Sequence, residues 1–171
     1  MSFGTRAETG RRGVTFLWGW FEAKLRWEDG SRMTLDELVE RARQAKDRAY
    51  APYSHYRVGA ALLTDSGRVH TGCNIENASY GATICAERVA AVKAISEGDR
   101  GFAALAVAAD GPEIPSPCGI CRQFLAEFDR NLEIILAGER ETKRVTLAGL
   151  LPAAFDRSFL PPATEAPQEN A

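Results

Sequence analysis

Four residues of this 171-residue chain have side-chain types and spacings that could do chemistry together: Cys85 and Glu87 in Cys85-Ala86-Glu87, and Cys118 and Cys121 in Pro117-Cys118-Gly119-Ile120-Cys121. Thiolates are ligands well suited to zinc, and three of them leave the fourth tetrahedral position open for water. Zinc lowers the pKa of such a water to about 7. A carboxylate two residues beyond the first ligand can then handle the water's proton. The spacing predicts hydrolytic chemistry at a metal, with Cys85, Cys118 and Cys121 as ligands and Glu87 as the acid–base group.

Plainer readings compete at each residue. Taken alone, Cys118-x-x-Cys121 suits a redox dithiol or a structural zinc knuckle as well as it suits catalysis. A redox pair has no use for a third cysteine ahead of a glutamate, and a closed structural site needs a fourth ligand. Candidates for that ligand are poor. Cys73 falls on an expected strand, where a small buried hydrophobe is its ordinary role. His55 and His70 lack ligand spacing to the cysteines. Glu87 could do no more than offset a helix dipole. Arg88 could be a surface arginine or a cation hydrogen-bonded to a ligand sulfur.

The elements around these residues matter electrostatically. Helices are expected over 84–96 and 118–128, so Cys85 and Cys118 fall at helix N-termini, with Cys121 one turn further on. Three thiolates and Zn²⁺ sum to a charge of about −1, which is costly to bury. Two helix N-termini offset it with partial positive charge and free N–H groups. They also lower the thiol pKa values and so favour metal binding near neutral pH.

Upstream, Thr34-Leu35-Asp36-Glu37 is a capping box. Leu35, Leu38, Ala42, Ala45 and Ala49 follow at helical spacing until Pro52. Segments 58–63 and 69–73, joined by Asp65-Ser66-Gly67, read as a hairpin. Segments 103–109 and 132–137 read as buried strands. Gly98 closes its helix at the C′ position, and 147–151 is a short helix before Pro152. Helices interleaved with buried strands imply an α/β sandwich around one sheet, which the hairpin makes mixed.

Residues 1–32 combine Gly, Arg and aromatic residues without sustained period and read as an extension, disordered or a mis-assigned start, with Met33 as the expected true beginning. Residues 33–160 form the expected domain, and the Pro/Ala/Glu-rich 161–171 a disordered tail. A net charge of −2 gives no broad basic field to draw the chain onto nucleic acid or an anionic membrane. No apolar run approaches the ~20 residues that span a bilayer. Four cysteines in this pattern suit a thiolate metal site in a reducing compartment, with cytoplasm as the expectation.

The runs Ala51-Pro52-Tyr53-Ser54, Val58-Gly59-Ala60-Ala61-Leu62, Gly72-Cys73-Asn74-Ile75-Glu76-Asn77, Cys85-Ala86-Glu87-Arg88, Ser116-Pro117-Cys118-Gly119, Cys121-Arg122-Gln123 and Leu150-Leu151-Pro152 with Phe155 follow in that order. Together they resemble the zinc-dependent cytidine deaminases. The three-cysteine ligand set resembles the small homotetrameric members. The likeness covers about residues 33 to 160 and leaves both flanks uncovered.

That resemblance implies a three-layer α/β/α sandwich around a mixed, about five-stranded sheet, with one zinc ion per chain. It implies hydrolytic deamination of cytidine and deoxycytidine to uridine and deoxyuridine plus ammonia, in pyrimidine salvage. Zinc-bound hydroxide would attack C4, with Glu87 as proton shuttle. Asn74 and Glu76 match the Asn-x-Glu that holds the ribose 3′-hydroxyl; at i and i+2 on an extended segment they face one side. Ala86 and Glu87 match positions that read the pyrimidine amide edge. Tyr80 and Phe155 match aromatic residues offered across subunit interfaces toward a neighbouring site. The implied partners are a nucleoside substrate and a homotetramer with shared active sites, with no nucleic acid and no membrane.

One departure stands out. Family members commonly carry Phe-Pro where this chain has Tyr56-Arg57. Tyr56 keeps the ring that packs near the base and adds a hydroxyl; Arg57 gives up proline's rigidity. A deaminase of modified nucleosides or of a blasticidin-like compound is the nearest rival, and Asn74 with Glu76 favours a ribosyl substrate over it.

Overall fold

The computed structural model of the protein describes residues 33–161. The expectations for residues 1–32, and for all but the first residue of the 161–171 tail, lie outside the described residues.

Helix α1 (Leu35–Lys46) begins at the capping box: Glu37 N–H donates to Thr34 Oγ1 at 3.2 Å, and Thr34 N–H donates to the Glu37 carboxylate at 2.7 Å. It stops before the expected Ala49. Tyr50 N–H donates to Asn74 O at 3.0 Å and Tyr50 O accepts from Glu76 N–H at 2.8 Å, so tertiary pairing draws the chain off the helical path.

Strands β1 (Val58–Thr64), β2 (Val69–Cys73), β3 (Phe102–Ala109), β4 (Glu133–Ala137) and β5 (Thr142–Thr146) form one sheet in the order β2-β1-β3-β4-β5. The β3–β4 pair is parallel and the others antiparallel. A parallel pair needs a crossover, and helix α3 (Gly119–Ala126) lies in it.

Period two sorts the strand side chains onto two faces. Ala60, Leu62, Leu105 and Val107 pack with helix α2 (Ala86–Ser96), α3 and the short α4 (Leu147–Leu150). Ala61, Leu63, Ala104, Ala106 and Ala108 pack against α1. The result is the expected three-layer α/β/α sandwich around a mixed five-stranded sheet. Among the described residues, no helix is long and apolar enough to cross a membrane.

Strand β5 is the one that hydrophobic patterning did not place. It lies at the sheet edge and is mostly exposed, with Lys143 and Arg144 near its centre and Arg144 paired to Glu133 on β4. Charge on an edge strand discourages pairing with another chain, and it also removes the apolar signal.

Two glycines fix α2. A Cβ at Gly72 would lie 2.4 Å from Ala86 O and 2.5 Å from Ala90 N, so its absence lets the first turns of α2 rest on β2. Gly98, at φ +95°, takes the left-handed turn after the helix. The helix starts at Ala86 rather than Ile84 because Ile84 and Ile75 exchange backbone hydrogen bonds at 2.9 and 3.0 Å. Similarly, α3 ends at Ala126 rather than Phe128, where the N–H groups of Phe128 and Asp129 turn back to Leu125 O.

Candidate active site

Cys85 and Cys118 are the N-cap residues of α2 and α3, both with extended backbone, and Cys121 lies in the first turn of α3. The three Sγ atoms lie within 4.8 Å of one another. Cys85 Sγ and Cys118 Sγ are 3.8 Å apart. That is too long for a disulfide, at roughly 2.05 Å, and close to the edge of a tetrahedron built on Zn–S bonds of about 2.3 Å. Among the described residues, no fourth Cys, His or carboxylate joins the cluster.

Two helix N-termini point positive partial charge at the sulfurs. Arg88 adds a full charge: its Nη2 lies 3.8 Å from Cys85 Sγ and donates to Thr83 O at 3.2 Å. Its Nε is buried without a hydrogen-bond partner. The Cys121 thiol donating to Cys85, helped by Arg88, pulls the Cys85 thiol down to about 5 despite partial burial. Once Cys85 is ionised, its hydrogen bond with Cys121 and burial push the Cys121 thiol up. A trio in which one thiolate already exists, under an excess of positive field, suits a divalent cation of soft preference.

Glu87 occupies the second position of α2 and is only 4% exposed. Burial pushes its carboxyl above the ordinary value, and the Cys85 charge adds to this. It faces a cavity of about 260 Å³ whose wall also carries Cys85, Ala86 and Cys118. Asn74, Glu76 and Tyr56 line the same space. Ile75, between the first two, projects outward.

Asn74 and Glu76 also serve the chain's own backbone. Asn74 Oδ1 accepts from Val58 N–H at 2.8 Å, and its Nδ2 donates to Tyr56 O at 2.9 Å. The Glu76 carboxylate accepts from Tyr53 N–H at 2.9 Å, Ser54 N–H at 3.2 Å and the Ser54 hydroxyl. The Ser54 hydroxyl and the Tyr53 amide hold its carboxyl below the usual range.

Tyr80, 75% exposed on a short 3₁₀ turn, meets Tyr53 edge-on with ring centroids 6.0 Å apart. It lines a second cavity of about 400 Å³ that adjoins the first, sharing Ser54, Glu76 and Thr83 with it. Phe155 lines neither cavity; its ring stacks on Phe159 at 5.4 Å, and its carbonyl accepts from Gln123 Nε2 at 2.7 Å.

Cys73, expected as a buried hydrophobe, is half-buried and donates to Arg48 O at 3.3 Å. Tyr53, Ser54, Thr83, Pro115 and Ser116 line the two cavities without having been assigned a role from sequence. The signal for Tyr53, Ser54 and Ser116 was their place in the runs Ala51-Pro52-Tyr53-Ser54 and Ser116-Pro117-Cys118-Gly119 that carry the family resemblance; Thr83 and Pro115 gave none.

Comparison with known proteins gives this geometry a family. The model for the cytidine and deoxycytidylate deaminase zinc-binding region matches residues 33–137, which contain all three cysteines. The cytidine deaminase of Sporosarcina psychrophila is 45% identical over 135 residues, covering 78% of this chain and 99% of its own. That of Halalkalibacterium halodurans is 48% identical over 120 residues, covering 69% of this chain and 91% of its own. The crystal structure of the Burkholderia pseudomallei cytidine deaminase superposes with a TM-score of 0.70 at 45% identity, covering 72% of this chain and all of the other. Zinc is the ion of this family model, and the sulfur trio fits it. Kinship along nearly the whole length of these enzymes, in sequence and in backbone alike, means that the chain belongs to the cytidine deaminase family.

Proposed function

We propose that this chain hydrolyses cytidine and deoxycytidine to uridine and deoxyuridine with release of ammonia. Cys85, Cys118 and Cys121 hold one zinc ion and Glu87 moves the protons. The carrying observation is that a buried carboxylate, two of the three clustered sulfurs (Cys85 and Cys118) and the Asn74–Glu76 pair line one cavity.

When bound, zinc supplies a Lewis acid that makes water acidic near neutral pH. Glu87 would take a proton from the attacking water and deliver it to N3 of the cytosine ring, which leaves C4 electron-poor. Once the C4–O bond has formed, Glu87 would carry the remaining proton of that oxygen to the amino group, and the C4–N bond then breaks to release ammonia. The burial that raises the Glu87 carboxyl suits a group that takes and returns protons within one turnover.

Asn74 keeps one N–H, and Glu76 keeps unused lone pairs, for the ribose 3′-hydroxyl. Their backbone bonds hold both side chains rigid for this purpose. The Ala86 backbone and the Glu87 side chain read the amide edge of the base, Tyr56 packs near its ring, and Arg88 offsets the sulfur charge. These roles support a ribosyl pyrimidine rather than a substrate without the sugar.

The working assembly in this reading is a homotetramer in which Tyr80 and Phe155 reach neighbouring active sites. Their exposure, 75% and 56%, supports this, since large aromatic side chains left open suit an interface. Residues 33–160 are its catalytic unit. A trio of free thiols belongs in a reducing compartment, which supports cytoplasmic location.

Purified protein mixed with cytidine should lose the cytosine absorbance and release ammonia, and a chelator should stop both. Turnover that persists in zinc-free protein would contradict the reading.

A further inference from the structure

Tyr56 stands on the cavity wall, yet it is 44% exposed and has no ring contact among the described aromatic pairs. No aromatic neighbour fixes it, so the placement of its backbone matters. The peptide on its N-terminal side is tied by Tyr56 N–H donating to Ser54 Oγ at 3.0 Å. Asn74 grips Tyr56 O and Val58 N–H, on either side of Arg57. Arg57 closes the remaining side. Its carbonyl accepts from Asp110 N–H at 3.0 Å. Its guanidinium returns to the same residue, Nε to Oδ2 at 2.7 Å and Nη2 to Oδ1 at 3.3 Å. Lys46 Nζ, from the last turn of α1, donates to Asp110 Oδ1 at 2.8 Å.

We propose that Arg57, latched to Asp110, is a positioning residue that holds Tyr56 against the base of the substrate. The inference rests on the deaminase reading above. A lone exposed ion pair has little effect on stability. This one is a two-pronged fork that shares its carboxylate with Lys46 and is doubled by a backbone bond between the same two residues. Those bonds, chiefly from Arg57, hold the Asp110 carboxyl down to about 2, so the latch is ionised at any pH near neutrality. Arg57 thereby supplies by charge a stiffness that a locked φ would supply covalently. Its own N–H donates to no carbonyl among the described turns, loops and caps, so proline would cost no such bond there.

The test is steady-state deamination of cytidine, with zinc content measured in parallel, for wild type, Arg57→Ala, Arg57→Pro and the isosteric Asp110→Asn, each also in a Tyr56→Ala background. Arg57→Ala and Asp110→Asn should raise KM about threefold with kcat within about twofold and zinc unchanged, the scale of an exposed pair. Wild-type KM should rise with salt as the pair is screened. Arg57→Pro should restore the wild-type KM and lose the salt dependence. In the Tyr56→Ala background the Arg57 and Asp110 changes should add nothing.

An unchanged KM in both Arg57→Ala and Asp110→Asn, with wild type active, overturns the latch and leaves the deaminase reading intact. So does a KM effect of equal size in the absence of the Tyr56 ring. Inactive wild-type protein carrying full zinc overturns the deaminase reading and the latch with it.

Discussion

The two ends of α2 each carry a polar cluster, and they use their bonding capacity in opposite ways. Beyond the C-terminal end, Asp99 is buried and spent: Arg68 Nη2 reaches Oδ1 at 2.8 Å, His70 Nε2 lies 2.9 Å from Oδ2, and Thr64 Oγ1 donates to Oδ2 at 3.1 Å. Burial alone would raise its carboxyl, but the bonds from Arg68, His70, Ser66 and Thr64 outweigh this and hold it well below the usual carboxylate range. At the N-terminal end, three clustered cysteines form no disulfide, Arg88 Nε has no partner, and Glu87 is buried above its ordinary pKa. A cluster that closes on its own bonds stabilises the fold. A part-buried cluster with capacity left over suits a ligand that is not protein.

Four substitutions sharpen or break that contrast. The largest effect belongs to Glu87→Gln, which should lose at least about 10²-fold in kcat while keeping zinc and thermal stability. Near-normal turnover in this variant would remove Glu87 from the chemistry. Cys118→Ala comes next: metal analysis should find zinc well below one per chain, with a lower Tm. Stoichiometric zinc there would mean that the ligands are misassigned.

At the other end of the helix the effect should fall on stability alone. Asp99→Ala removes the partner of His70 Nε2 in the interior, while Thr64 keeps Ser66 and the Arg68 carbonyl. It should cost about 2 kcal/mol in denaturant unfolding at pH 7, with KM unmoved. Because folding lowers the Asp99 pKa below an unfolded value of about 3.9, its contribution is complete above that pH. The gap between variant and wild type should therefore narrow as the pH falls through the lowered folded value. A shift in KM, or a gap that widens with acid, would erase the distinction between the two clusters. The smallest effect is expected far from both: Thr34→Ala breaks the α1 capping box and should cost about 1 kcal/mol, read as a small drop in Tm.

What the sequence made legible follows the same contrast between local and distant causes. The capping box of α1, the β1–β2 hairpin, the left-handed Gly98 and the placement of Cys85 and Cys118 at helix starts are all set by residues near one another in the chain. The sulfur trio was legible because metal ligation restricts residue type so severely. Partnerships across long separations were not. Nothing local to Glu76 says that it holds the Tyr53–Ser54 turn, nor does anything local to Arg57 point to Asp110. Helix α1 ended early because Tyr50 pairs with a segment more than twenty residues away. Strand β5 escaped notice because an exposed, charged edge carries no apolar period.

The most direct test is X-ray absorption at the zinc edge on protein loaded with one zinc per chain. The account predicts three sulfur scatterers near about 2.3 Å and a single lighter neighbour, consistent with an open fourth position. A shell of four sulfurs, or one without sulfur, would contradict it.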